Sequence, residues 1–175
     1  AAGFSDGALF IEGQKNAYPN ILAQQFALVG GGEFTTPLMA DNFGGLLLGG
    51  IPIQGVRLYF NGVTPLSVTG APTTEVTNHL SGFFNNMGIP GAKSFHLIAP
   101  GYGNTAGVAG GTASPYFSRF SSNTTTTVLA DALSQTPTFF SLWIGGNDVL
   151  GYALTGGDGT NPITPTNTFN GAYNT

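Results

Sequence analysis

The chain has 175 residues, enough for a sizeable core, and its 41% hydrophobic and 12% aromatic content rules out a disordered segment. Charged residues make up only 7%, against about 25% in an ordinary soluble domain, and the net charge is −4. The four basic residues, Lys15, Arg57, Lys93 and Arg119, are too scattered to neutralise a row of phosphates. The absence of cysteine removes disulfides and thiolate metal sites, and no apolar run approaches the ~20 residues of a membrane-spanning helix.

Taken from the start, the first pattern is GFSDG, residues 3–7, which satisfies the G-x-S-x-G of a serine nucleophile elbow. An elbow needs a strand before the serine and a helix after it, and only two alanines precede Gly3. Ser5 therefore reads first as a turn residue, with a nucleophile as the alternative. Residues 16–30 read as a helix: Pro19 suits its first turn, and Leu22, Phe26 and Val29 fall on one face before Gly30. The Gly- and Pro-rich stretch 33–72 reads as an insertion over the surface. Within it, the alternating VRLYF of 56–60 followed by Asn61-Gly62 predicts a hairpin returning through 63–68.

Residues 83–89 suit a short strand, followed by a Pro90-Gly91 turn and a helix to about residue 99. The span 105–127 reads as a polar loop and 128–135 as a helix. The uninterrupted apolar run TFFSLWI, 138–144, suits a strand buried on both faces of a parallel sheet. It ends at GGND, 145–148, and a further helical pattern covers 149–154. Near the end, Thr166 looks like the N-cap of a helix. Helix, buried strand, polar turn and helix together predict an α/β domain whose site lies beyond the carboxyl ends of its strands.

Two of these blocks carry a resemblance. SLWIGGNDVL resembles the asparagine block, and NNMGIPGAKS the glycine block, of the GDSL/SGNH hydrolases, a family of serine esterases and lipases. The resemblance implies a flavodoxin-like three-layer α/β/α sandwich around a parallel sheet. It also implies that the Asn147 side-chain amide and the Gly91 backbone N–H stabilise the oxyanion of an ester-cleaving reaction. The opening resembles the family in an offset way, with Ala1 and Ala2 just after the nucleophile. The D-x-x-H block has no counterpart: Val76 stands three residues before His79, and Lys93 three before His96.

The chain is thus expected to be an internal, incomplete piece of a single hydrolase domain, inactive alone, with its serine and histidine outside residues 1–175. Completion by another chain segment is expected with it. The substrate class implied is an ester, of a lipid or of an acetylated carbohydrate, and no cofactor is expected. The hydroxyl- and amide-rich composition suggests an exported protein whose export signal lies elsewhere, and the resemblance implies a bacterial one. Two alternatives stay open: an exported non-enzymatic module that binds glycans or proteins through aromatic loops, and a true elbow at Ser5 with His96 or His79 as base. GGDGTN, 156–161, lacks the acidic spacing of a calcium loop and reads as a surface turn.

Overall fold

The structure is a computed structural model that describes residues 2–175. Its backbone gathers into two compact units. The first runs up to Pro90 and includes Pro115–Phe120; the second comprises Gly91–Ser114 and Ser121–Thr175.

In the first unit, helix α1 (Ile11–Lys15) is followed by helix α2 (Tyr18–Ala27), with proline in the first turn of α2, where its missing N–H costs nothing. Strands β1 (Leu46–Leu48) and β2 (Ile51–Gln54) form one antiparallel pair, and β3 (Leu58–Phe60) and β4 (Pro65–Ser67) form another. The second pair is the hairpin expected from VRLYF and Asn61-Gly62. The Asn61 side-chain oxygen accepts from the amides of Val63 (2.9 Å) and Thr64 (2.8 Å) and so closes the turn. The core of this unit collects Ala8, Leu9, Phe10, Met39, Leu46, Val76, Phe117 and Phe120. The stretch 33–72, read from sequence as a surface insertion, thus supplies both Met39 and Leu46 to that core.

In the second unit, α3 (Val128–Ser134) starts at Thr127, whose hydroxyl accepts the Ala130 amide at 3.0 Å. Helices α4 (Gly146–Leu154) and α5 (Thr166–Tyr173) follow, and a one-and-a-half-turn 3₁₀ helix at Ser94–Ile98 packs against α3 and α5.

The expected three-layer sandwich around a parallel sheet does not form. Both sheets among the described residues are two-stranded and antiparallel. Residues 138–144 are in no strand, and Phe139, Phe140 and Trp143 are 61%, 76% and 75% exposed. Residues 83–89 form no strand either: the Asn86 amide donates to the Thr35 carbonyl at 3.0 Å, and the Asn85 side chain accepts the Thr35 amide at 2.8 Å. The physical reason is that an apolar run becomes a buried strand only when neighbouring strands take its N–H and C=O groups. Periodicity reports the apolar side chains and says nothing about those neighbours.

Candidate functional site

The residues singled out from the two motif blocks meet in the second unit. The Pro90-Gly91 turn places Gly91 at φ +77°, a backbone conformation that disfavours any residue with a Cβ, and the space beside its Cα is open. The chain then turns inward, so that Ala92 and Ser94 are buried. Across from it, α4 begins at Gly146-Asn147-Asp148. The Asn147 side-chain amide donates to the Ala92 carbonyl at 2.8 Å, joining positions 55 apart in sequence. One Nδ2 hydrogen is held there, and the amide has a second.

The neighbouring Asp148 makes the stronger clamp. One carboxylate oxygen accepts the Ser94 amide at 2.9 Å and the other accepts the Ser94 hydroxyl at 2.7 Å. The Asp148 carbonyl also accepts the Thr164 amide at 2.9 Å, tying in the approach to α5. Desolvation pushes the carboxyl up, but the side-chain and backbone hydrogen bonds from Ser94 outweigh it and hold the group below the ordinary carboxylate value. Ser94 drew no notice in the sequence, because a serine that opens a helical turn is an ordinary capping residue. Asp148 stands in the first turn of α4, an ordinary place for an acid; what the fold adds is a partner from a distant turn.

His96 lies on the 3₁₀ helix that Ser94 begins. Its Nδ1 accepts the Lys93 amide at 3.0 Å, and its ring stacks on Tyr102 with centroids 4.2 Å apart and planes 10° off parallel. Burial pulls its pKa below the ordinary histidine value; the Lys93 charge adds to this and Asp148 opposes it. With Nδ1 accepting, the neutral ring carries its proton on Nε2 and has no free lone pair for a base.

Beside the start of α4 is a cleft of about 340 Å³, walled by Gly145, Asp148, Val149, Ile163, Thr164 and Phe169. Gly145 and Asp148 flank the Gly146-Asn147 step, so the cleft opens next to the Asn147 backbone, with mostly apolar side chains on its far walls.

Ser5 lies in the first unit. Its amide and carbonyl exchange hydrogen bonds with Ala8 at 3.1 and 3.0 Å, around Asp6 and Gly7, both at positive φ (54° and 77°). That is a two-residue turn of the I′ kind, with an exposed serine at its first corner and no helix directly after it. At GGDGTN, the Asp158 side chain accepts from the amide (2.9 Å) and hydroxyl (2.7 Å) of Thr160, a local turn bond. No helix among the described residues is long and apolar enough to cross a membrane.

No protein-family model matches this chain, and comparison with curated proteins and with solved structures found no match in either.

Proposed function

We propose that this chain carries the oxyanion-binding part of an exported carboxylic-ester hydrolase, with Asn147 Nδ2 and the Gly91 N–H as donors. One observation carries the reading: the Asn147 amide reaches the residue that follows Gly91, so the two motif blocks share one place. Acyl transfer concentrates negative charge on the former carbonyl oxygen, and donors fixed before the reaction stabilise it without reorganisation. The Ser94–Asp148 clamp supports this role by holding the turn and the start of α4 in register. The adjacent apolar cleft suits the acyl or alkyl portion of an ester, from a lipid or an acetylated sugar. The nucleophilic serine and its histidine are proposed to come from residues outside 1–175, because Ser5 sits in a hairpin turn and His96 has its Nδ1 lone pair engaged.

Fluorophosphonate labelling with intact-mass readout tests this on the 175-residue chain and on one lengthened at both ends from its parent gene. The reading expects a label only on the longer protein, at a serine outside this chain. It also expects Asn147→Ala to lower kcat of the longer protein by 10²- to 10³-fold, about 3 to 4 kcal/mol in the barrier. A label on Ser5, or full activity in Asn147→Ala, sinks it.

A second reading rests on the β3–β4 hairpin, whose six residues are all exposed and include Tyr59 and Phe60. Such a surface suits an exported module that binds glycans or proteins. Glycan-array binding lost in Tyr59→Ala, with no labelled serine in either protein, would put this reading first.

A further inference from the structure

The core of the first unit holds a cation with no anion beside it. Arg119 is 4% exposed. Its Nη2 donates to the Leu38 carbonyl at 2.6 Å and its Nη1 approaches the Met39 sulfur at 3.3 Å, while its Nε–H has no acceptor. Asn86, also 4% exposed, has a buried Nδ2 that likewise lacks an acceptor. Both side chains line one small crevice of about 10 Å³, together with Leu9, Gln14, Thr36 and Tyr116, and no carboxylate is among its walls.

The surroundings leave the charge standing. Burial draws the guanidinium down to about 10, which keeps it cationic at neutral pH. The Tyr116 hydroxyl donates to the Gln54 side-chain oxygen, and burial pushes that phenol up to about 12, so it stays neutral. The Gln14 amide is spent on the Pro37 carbonyl (2.9 Å), and its oxygen on the Met39 amide (2.7 Å). Among the described residues the one ion pair joins Lys15 to Glu12, elsewhere on the surface. A buried guanidinium without a counter-charge is strongly destabilising.

We propose that Arg119 Nε and Asn86 Nδ2 form a binding site for a single monatomic monovalent anion of chloride size. The donors suit this occupant. Both are N–H groups, one belongs to a cation, and a halide accepts without needing acceptors in return, whereas a water would have to place its own two hydrogens. Sulfate, phosphate and carboxylates carry several acceptor oxygens, each needing donors of its own, whereas the crevice offers two N–H groups that lack acceptors. The ion would tie Pro115–Phe120 to the 86–88 segment and so stabilise the fold of this unit.

The test is thermal melting of the whole chain in sodium chloride against sodium gluconate at equal ionic strength, paired with anomalous diffraction from crystals soaked in sodium bromide. The expected result is a saturable rise in Tm with chloride of roughly 3 °C, and a bromide peak within hydrogen-bond reach of Arg119 Nε. Asn86→Asp puts a carboxylate on the wall of the crevice that Arg119 lines. It is expected to melt in gluconate at least as high as the original protein does in chloride, and to lose the chloride response. Equal melting of the original protein in the two salts overturns the site, as does a crevice holding only water after the bromide soak or an unchanged chloride response in Asn86→Asp.

Discussion

Asp148 and Ser94 form the tightest side-chain contact in the proposed site, and their chemistry makes it pH-dependent. The carboxylate accepts two hydrogen bonds from one residue while nearly removed from solvent. Its folded pKa lies below the ordinary 3.8, so the unfolded chain takes up the proton first. The stability it contributes is therefore complete above the ordinary carboxylate value and is lost as pH falls through the lower folded value. Ser94→Ala removes the hydroxyl donor and leaves one carboxylate oxygen underpaired, at a cost of about 2 kcal/mol near neutral pH. Urea unfolding midpoints are expected to show that gap at neutral pH and to show it shrinking in acid. A gap unchanged in acid would mean that the hydroxyl matters only for packing. At this scale the sequence was partly legible. Gly91 and Asn147 stood out because each lies in a short block that resembles a known family's motif. Ser94 did not, since its importance depends on an aspartate 54 positions away.

The two hairpins show what an element's pattern can and cannot report. The β3–β4 pair was readable because its main signals are local: an alternating run, an Asx-type turn at Asn61 and a four-residue connection that pairs Phe60 with Pro65. The β1–β2 pair was not. LLLGGIPI lacks alternation, and its Gly49 and Gly50 amides donate to the Glu75 carboxylate at 3.1 and 2.8 Å, from beyond the next hairpin. Their energetic weights are reversed. Leu46 is fully buried, while Phe60 is mostly exposed. Leu46→Ala is expected to destabilise the protein by about 3 kcal/mol, and Phe60→Ala by less than about 0.5 kcal/mol. Chemical denaturation of the two variants side by side checks this, and comparable losses would refute the assignment of the core to β1. Helices α2, α3 and α4 were found in the sequence to within a few residues of their ends. The strand expected at 138–144 was not formed, because strand formation needs a partner and helix formation does not.

Across the whole molecule, few charges and many exposed apolar side chains combine. The isoelectric point is near 4.7, and only 12 of 175 residues carry formal charge. Phe140 and Leu142 are 76% and 57% exposed within one short stretch. Near the isoelectric point the repulsion that keeps molecules apart vanishes, and apolar surface is left to associate. Turbidity is therefore expected to peak close to pH 4.7, and Phe140→Ser with Leu142→Ser to lower both that peak and the binding of a hydrophobic dye. Dye binding unchanged by the pair of substitutions would place the sticky surface elsewhere.

The sequence by itself determined the features that arise between near neighbours: the capped helix at Val128–Ser134, the Asn61 hairpin, the Asp6-Gly7 turn that takes Ser5, and the low charge that governs solubility. Those depend on backbone preferences and hydrogen bonds spanning a few residues, which adjacent letters record. Only the tertiary structure decided that the sheets are small and antiparallel, that Asn147 reaches the turn after Gly91, that Asp148 grips Ser94, and that Arg119 is buried without a carboxylate. Each of these is a pairing between distant positions. A single sequence states which groups need partners, and the fold alone states which partners they find.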